Sequence, residues 1–594
     1  MTTLRTAKRF VFPLLGIWVL LYCSFSLFKP PLLDGSDALS AEIAREMLTG
    51  GHWLTPFANG ILYPHHPPLL YWTVAVSFGL FDVSDWAARL PVAIAVLGLC
   101  IATFSLGQRL FHSPAAAFYA VLSLLTSYGV FLFGHLLIRD VFLCLWTTLA
   151  LNFFWRSLTQ QKRLLESALG FAACCALGVL TQGLPGLVLP LAIAVLYLAF
   201  THNLGHLRRW HPIPAALVFL ILYLPWHFAA RHALRQQDLL NLLPRFTGGR
   251  VPLFVFWPLL LLWIIPWCAF SLRALRIGAS PEPDRRHQAR LFCGLWILTV
   301  LFFFSFTARQ EFNLLTALPP MALLAGGWLA EDEAQPHHQG RIAAWIVFFT
   351  GLAAAALVSY YLFAAPRPAP GTDIATLLHP NPGQHAVFFA SFLDLTRASM
   401  GAFKVPLWIT LISLIVGVSA ELVFRLRDNA RMANCFLAGM IVAILIAAHL
   451  GLNTFSPVLS SEILAEAIHP EVQAGDLIVV NGSLDGASSF VFYLEHNALL
   501  LAPTSAVEAM PAPCTQKVEG NTQVTARFSL GPLPVPRFHI DRGSLCGLWQ
   551  GPARVWLWTP LEEVPVLPGD VYVIGRSGGK EVLSNQPNTG GASF

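Results

Sequence analysis

Long apolar runs alternate with short polar connections over the first three quarters of the chain. A membrane-spanning helix takes about 20 mostly apolar residues, and the sequence contains roughly thirteen such runs before residue 452. They cover 11–29, 87–107, 115–133, 138–156, 165–181, 185–201, 212–227, 253–272, 291–307, 312–330, 342–363, 404–424 and 432–451. This pattern predicts an all-α polytopic membrane domain, residues 1–451, with about 13 transmembrane helices.

The pattern changes after residue 451. Three segments rich in β-branched and aromatic residues favour short buried strands; they begin at Asp476 (Asp-Leu-Ile-Val-Val), Ala553 (Ala-Arg-Val-Trp-Leu-Trp) and Asp570 (Asp-Val-Tyr-Val-Ile). Residues 460–468 and 487–495 have helical character. We therefore expect a small soluble α/β domain over 452–594, called the C-terminal domain below.

Composition and charge agree with a membrane protein. The chain is 56% hydrophobic and 12% charged, whereas soluble domains carry about 25% charged residues. The net charge of +5 comes from Lys and Arg dispersed among short loops, which sets membrane orientation. With a cytoplasmic N-terminus, every inside loop is short and basic, and the long segments 30–86 and 452–594 lie outside. No nucleic-acid partner is expected, and the bilayer is the solvent for most of the chain.

The N-terminal run and the cysteines add two expectations. No small-residue cleavage site follows residues 11–29, so this run is predicted to be a retained helix rather than a signal peptide. Eight of the ten cysteines fall in or beside apolar runs and are expected to be small buried hydrophobes. Cys514 and Cys546 belong to the C-terminal domain and could form one disulfide in an oxidising compartment; that pairing is left open.

Polar residues concentrate in the first loop, residues 30–86. Ser36 is a plausible N-cap, Asp37 falls in the first helical turn, and apolar residues recur every four positions until Gly50-Gly51. This predicts an amphipathic helix that lies on the outer membrane surface. An acid in the first turn complements the helix dipole, so Asp37 has a structural interpretation beside any catalytic one.

Several motifs in and after this loop occur together. They begin at Asp34 (Asp-Gly-Ser-Asp-Ala-Leu-Ser-Ala-Glu-Ile-Ala-Arg-Glu-Met-Leu), Asn59 (Asn-Gly-Ile-Leu-Tyr-Pro-His-His-Pro-Pro-Leu-Leu-Tyr-Trp), Ile138 (Ile-Arg-Asp-Val), Leu180 (Leu-Thr-Gln-Gly-Leu-Pro-Gly), Leu224 (Leu-Pro-Trp-His) and Phe304 (Phe-Ser-Phe-Thr-Ala-Arg-Gln-Glu-Phe). In order and spacing they resemble the protein-mannosyltransferase and aminoarabinose-transferase (ArnT-like) families. Those families have the GT-C membrane fold. The resemblance implies an inverting transfer of sugar from a polyprenyl-phosphate lipid to a lipid, glycan or protein acceptor at the outer face of a bacterial inner membrane.

The resemblance also implies roles for individual residues. Asp37 matches the loop acid expected to be catalytic, with Asp34 as the competing assignment, and Asp140 matches a second acid beside the cavity. A carboxylate there can remove the proton of an acceptor hydroxyl. The phosphate ligands would come from outside-facing arginines, for which snorkelling at the membrane edge is the alternative: Arg139, Arg231, Arg235, Arg245, Arg250 and Arg309.

The chain departs from the family pattern at two places. The families show Glu-Lys before Pro-Pro, where this chain has His65-His66 after Tyr63; they often show Thr-Lys-Gly, where it has Gln182. His66 could still donate to phosphate, best when protonated. A divalent-metal site of His65, His66 and Asp37 is disfavoured because adjacent side chains in a strand point to opposite faces. No cofactor is expected.

Two weaker candidates keep two interpretations each. His227, at the end of a span, is either a satisfied interfacial histidine or a substrate ligand. Glu311 either lines the cavity or pairs with Arg309.

Two other functions remain open at this point. A lipid or sugar transporter would place functional charges near mid-membrane and show an inverted repeat, whereas the acids here cluster on outside loops. A catalytically altered family member that binds lipid is the second, because of the changes at His65, His66 and Gln182.

Overall fold

The computed structural model describes residues 2–24, 27–63, 66–233, 251–275, 285–307, 309–335, 338–369, 371–378, 394–501 and 538–587. Within these ranges, nine helices are long and apolar enough to cross a membrane: Asp85–Phe111, Arg139–Thr159, Gln161–Gln182, Pro212–Ala230, Arg286–Ser305, Glu311–Ala334, Gly340–Ala364, Ser399–Leu426 and Ala430–Leu459. The predicted polytopic helical architecture is confirmed. The division between residues 451 and 452 stays a prediction, and the last span continues to Leu459.

Shorter helices account for the remaining predicted runs. The run 253–272 is two helices, Leu253–Trp263 and Cys268–Ala274, bent by 104°. The run 115–133 divides into Pro114–Leu125 and Tyr128–Phe133, because Ser127 leaves the helical path and its side chain caps the second helix at Val130 N. Helices Thr2–Trp18 and Pro185–Phe200 account for two further runs.

The first loop contains more helix than its polar residues suggested. Helix Ser36–Gly50, called the loop helix below, is followed by a hairpin of β1 (Phe57–Ala58) and β2 (Ile61–Leu62) and by helix Leu69–Phe81. Asn59 and Gly60 form the two-residue turn with positive φ values of 55° and 69°, as a tight hairpin requires.

Within residues 452–501 and 538–587, the C-terminal domain is a six-stranded mixed sheet with helices on both faces. Its strands are β3 (Leu477–Asn481), β4 (Leu499–Leu501), β5 (His539–Ile540), β6 (Val555–Pro560), β7 (Tyr572–Ser577) and β8 (Lys580–Ser584), in spatial order β5-β4-β3-β6-β8-β7. The pairs from β5 to β6 are parallel, and β8 is antiparallel to β6 and β7. The predicted small α/β unit is therefore confirmed.

Alternating side chains explain why the central strands β3 and β6 are buried on both faces. Ile478, Val480 and Trp558 face helices Glu462–Ile468 and Ser488–Leu494, whereas Val479 and Leu557 face helix Arg542–Trp549. The sheet is thus a packed layer between helices. The same helix Ser488–Leu494 also contacts the loop helix, which brings the C-terminal domain onto the first loop.

Candidate active site at the first loop

The loop helix is buried rather than laid open on a surface. Leu39, Ile43 and Met47, the apolar stripe predicted from the sequence, are at most 6% exposed. The helix packs against Leu69–Phe81 on one side and Ser488–Leu494 on another. The sequence predicted an amphipathic surface helix, and the difference arises because a distant part of the chain covers its outer side.

Asp37 is fully buried and accepts three hydrogen bonds. Oδ2 accepts from Leu33 N at 3.0 Å and from Arg89 Nη2 at 3.4 Å, and Oδ1 accepts from Leu137 N at 2.9 Å. These three donors hold the carboxylate in a fixed orientation. The bond to Leu137 places Asp37 beside the turn that leads into Arg139 and Asp140.

Arg89 holds the start of the first loop as well as Asp37. Its guanidinium, 3% exposed, donates to the carbonyls of Leu27 (3.4 Å), Pro30 (2.6 Å) and Pro31 (3.0 Å). The sequence reasoning missed this residue. The available signal was an arginine inside an apolar run, which by default marks a functional or structural polar site.

Asp34 lies on the side of the loop that faces the C-terminal domain. Its Oδ1 accepts from Ser489 N at 2.9 Å and from the Ser489 hydroxyl, and its Oδ2 accepts from Lys580 Nζ at 2.7 Å and Ser461 Oγ at 3.4 Å. A carboxylate has about four lone-pair sites. All of them are therefore used in this structure by residues of the C-terminal domain.

Asp140 is buried at the start of helix Arg139–Thr159. Its Oδ1 accepts from Gln182 Nε2 at 3.1 Å. Its Oδ2 and Gln182 Oε1 are buried and receive no hydrogen bond from the described part of the chain. Two adjacent buried acceptors without donors are costly on their own, so this pair is suited to a ligand that carries hydroxyl or ammonium hydrogens.

Arg139 precedes Asp140 on the same helix, and its charge reaches Tyr63 and Tyr71 of the first loop. Burial raises the pKa of Tyr63, Asp485 raises it further, and the positive charge of Arg139 opposes the shift. Burial likewise raises the pKa of Tyr71 against the effect of Arg139. The start of the Asp140 helix, where the half-buried Arg139 lies, is therefore close to the first loop. His66 is half-buried, and His65 lies outside the described residues.

The other candidates are engaged locally. His227 Nδ1 shares a 3.0 Å hydrogen bond with the Tyr223 hydroxyl one turn earlier. Arg309 donates through Nε to Val251 O and through Nη1 to Ser305 O, both at 2.9 Å. Glu311 is 1% exposed, at the start of a segment that packs on the Asp140 helix through Cys144 Sγ and Leu315 O, 3.3 Å apart. Arg235, Arg245 and Arg250 lie outside the described residues, as does the side chain of Arg231.

A second acidic pair on the loop helix was not singled out from the sequence. Arg45 donates to both oxygens of Glu42, at 2.7 and 3.0 Å, and Gly60 N donates to Glu46 at 3.0 Å. Burial, followed by the Glu42 charge, raises the pKa of Glu46 to about 7. Burial also raises the pKa of Glu42 against the effect of Arg45. Their spacing of four residues places both on one helix face.

Two remaining predictions concern a disulfide and a metal site. Cys546 is disulfide-bonded, while Cys514 lies outside the described residues. Among the residues that the structure describes, no group of three or more His, Cys, Asp or Glu side chains could hold a metal ion.

Known proteins resemble this chain in sequence and in fold. The family model for dolichyl-phosphate-mannose-protein mannosyltransferase matches residues 65–228. An undecaprenyl phosphate-alpha-4-amino-4-deoxy-L-arabinose arabinosyl transferase of Aeromonas hydrophila is 28% identical over 333 residues, 52% of this chain and 58% of that protein. Its counterpart in Pseudomonas aeruginosa is 28% identical over 341 residues, 53% of this chain and 60% of that protein. The chain thus matches less than two thirds of the length of these relatives.

Similarity in fold extends over nearly the whole chain. The crystal structure of ArnT from Cupriavidus metallidurans bound to undecaprenyl phosphate gives a TM-score of 0.74 at 20% identity, and the match covers 99% of both chains. Its apo form gives a TM-score of 0.73. The predicted resemblance and fold class are confirmed.

Proposed function

Because the chain is an ArnT-like protein with the GT-C fold, we propose that it transfers a sugar from a polyprenyl-phosphate carrier to an acceptor. One observation carries the proposal. The Asp140 Oδ2 atom is buried and receives no hydrogen bond from the described residues, and Arg139, a cation suited to phosphate, is its neighbour in the chain. The proposal assigns Asp140 to hydroxyl hydrogens of the substrate and Arg139, the preceding residue, to its phosphate.

The proposed location is a bacterial inner membrane, with the N-terminus cytoplasmic and the C-terminal domain outside. The nine apolar helices found among the described residues make the chain a multi-pass protein, and the basic short loops support this orientation. Phosphate and sugar then meet the first loop at the outer face. The acceptor is a lipid, glycan or protein of that compartment.

We assign an inverting mechanism with Asp37 as the base. The acceptor oxygen attacks the anomeric carbon as the bond to the polyprenyl phosphate breaks, the phosphate leaves with the electron pair, and the hydroxyl proton passes to the carboxylate. Of the two loop acids, Asp34 has its acceptor sites filled, whereas Asp37 Oδ1 accepts one hydrogen bond, from Leu137 N.

The leaving phosphate needs cations rather than an acid, because it departs as a stable anion. We assign Arg139 and His66 to it, with Tyr63 beside them. This reaction uses no metal or other cofactor. The relatives named above act on an undecaprenyl-phosphate aminopentose. The two buried acceptor atoms Asp140 Oδ2 and Gln182 Oε1, which receive no hydrogen bond from the described residues, suit hydroxyl or ammonium hydrogens. A lipid of that kind is therefore the first donor to test.

The experiment follows transfer or hydrolysis of undecaprenyl-phosphate sugars by the purified protein in the presence of a metal chelator, with products identified by mass spectrometry. We expect Asp37→Asn to lower kcat about 10²- to 10⁴-fold, as loss of a general base does. Asp140→Asn should raise the KM for the donor more than it lowers kcat, because it acts on binding.

The matched control is Asp82→Asn, an exposed acid of the same loop, which should leave turnover unchanged. Thermal melting of each variant separates lost chemistry from lost folding. If Asp37→Asn turns over at the wild-type rate, Asp37 is not the catalytic base. If the wild type transfers or hydrolyses no polyprenyl-phosphate sugar, the proposed function itself is wrong.

A further inference from the structure

Among the side chains that join the first loop to the C-terminal domain, four form one group around Asp34, which we call the docking cluster: Asp34, Ser461, Ser489 and Lys580. The Asp34–Lys580 ion pair, 2.7 Å long, has side chains that are 13% and 12% exposed. Lys580 Nζ also donates to Ser461 Oγ at 3.3 Å, and Ser461 N donates to Ser489 Oγ at 2.7 Å. The cluster is therefore a connected network in which each member is oriented by another.

The position of Lys580 follows from the turn before it. Gly578 and Gly579 join β7 to β8 with φ values of 64° and 77°, the conformation of a two-residue hairpin turn. A Cβ atom at Gly578 would lie 1.7 Å from the carbonyl oxygen of Pro457, near the end of the last span. The glycine pair thus allows the hairpin to contact that helix end, and Lys580 follows directly.

Main-chain bonds extend the attachment along the loop. Asp34 N donates to Leu459 O and Gly35 N to Asp485 O, both at 2.7 Å. Leu32 N donates to the Tyr493 hydroxyl at 2.7 Å, and Leu32 O accepts from Ser460 Oγ at 2.8 Å. Segment 32–35 is therefore attached to the C-terminal domain immediately before the loop helix begins.

Asp37 lies between two sets of constraints. On the membrane side, Arg89 binds its carboxylate and the carbonyls of Pro30 and Pro31. On the outer side, the docking cluster fixes Asp34, one helical turn earlier. A catalytic group displaced by about 1 Å can lose about 10²-fold in rate, so the outer attachment bears directly on a carboxylate that must meet its substrate.

We propose that Lys580 is a positioning residue for glycosyl transfer, through which the C-terminal domain fixes the first loop and Asp37. Lys580 touches neither substrate nor reacting atoms; it acts through Asp34. The inference rests on the proposed function for its kinetic part only. It makes the C-terminal domain part of the active enzyme rather than an appendage.

Kinetics of the full-length protein test this role. Lys580→Met should lower kcat about 10- to 100-fold with a smaller change in the KM for the lipid donor, since the donor site is left intact. Lys580→Arg should restore most of the rate because it keeps the charge. The double exchange Asp34→Lys with Lys580→Asp should recover more activity than either single change.

The matched control is Lys29→Met. Lys29 pairs with Glu462 of the C-terminal domain at 3.7 Å, but its side chain is 59% exposed, and exposed pairs contribute little. Turnover of the Lys29→Met variant should equal that of the wild type. A wild-type rate in Lys580→Met, or a loss that Lys580→Arg does not restore, would overturn the proposal.

Hydrogen exchange gives a readout that needs no activity. Amide exchange in peptides spanning 32–50 should be about tenfold faster or more in Lys580→Met than in wild type and Lys29→Met. Unchanged exchange there would overturn the docking role even if turnover fell. Faster exchange in a protein whose wild type shows no transfer would instead refute the proposed function while leaving the docking role in place.

Discussion

Two buried acid–arginine sites lie at opposite ends of the helical domain and differ in what their arginines bind. Arg89 binds one carboxylate, Asp37, and otherwise main-chain carbonyls of an irregular segment. Arg425 instead binds side chains on three different helices, namely Asp332, Glu421 at 3.2 Å and Asn434 at 2.7 Å. Asn434 and Leu459 belong to one helix and lie about 37 Å apart along it.

The difference separates two uses of buried charge. Side chains of packed helices are held by many apolar neighbours, so the Arg425 site mainly fixes how those helices pack. An irregular segment lacks the regular main-chain hydrogen bonds of a helix. The Arg89 guanidinium instead donates to its carbonyls, which would otherwise be unpaired. We therefore expect both sites to support stability and the Arg89 site alone to support catalysis.

Replacing Arg89 should have the largest effect. Arg89→Met leaves Asp37 buried without its cation, which costs about 3–5 kcal/mol of stability, and frees the carbonyls of Pro30 and Pro31. Turnover per folded molecule should also fall about 10²-fold, because Asp37 loses its position. Melting temperature and kcat of the purified variant measure the two parts. If the folded fraction of Arg89→Met turns over at the wild-type rate, the expected role of the Arg89 site in catalysis is refuted.

Replacing Arg425 should lower stability alone. Arg425→Met leaves Asp332 and Glu421, 2% and 0% exposed, without their shared cation and should cost about 3–5 kcal/mol. Turnover per folded molecule should remain within about twofold of wild type, because the cluster lies at the far end of the bundle. The control is Arg341→Met, which breaks an exposed pair with Asp428. If Arg425→Met loses as much turnover as Arg89→Met, the expected difference between the two arginine sites is contradicted.

A smaller, pH-dependent effect should come from Glu46. Burial and Glu42 raise its pKa in the folded state from 4.5 to about 7, so between these values the folded protein retains a proton that the unfolded chain releases. Stability contributed at this site is then present at pH 5 and declines as the pH rises through 7. The melting temperature should fall from pH 5 to pH 8 in wild type and fall less in Glu46→Gln. An identical pH profile in the two proteins would contradict the assignment.

The sequence was sufficient for the helical architecture because the requirement is local. A segment in a bilayer must satisfy its main-chain hydrogen bonds internally and present apolar side chains to lipid, so composition alone marks each span. Three strands of the C-terminal domain, β3, β6 and β7, were predicted from runs rich in β-branched and aromatic residues, whereas β4, β5 and β8 were not predicted. The bend between Trp263 and Cys268 and the break at Ser127 were not predicted from the sequence, because they depend on the residues that pack beside them.

Only part of the candidate site could be predicted from the sequence. Motif order located Asp37, Arg139 and Asp140, which the structure brings together through the Leu137 bond to Asp37. Arg89, Glu46 and Lys580 were missed. Arg89 and Lys580 act through partners more than 50 residues away, and no periodicity records such a pairing.

By itself, the sequence determined the membrane character, the order of the long apolar helices, the presence of an α/β unit after them and the family resemblance, all of which follow from local hydrophobicity and motif spacing. It did not decide between Asp34 and Asp37, which lie three residues apart. Tertiary structure separated them: Asp34 meets Lys580, 546 residues later, and Asp37 meets Arg89 and Leu137. The physical reason is that the environment of a carboxylate is set by the donors around it, and those donors come from distant parts of the chain.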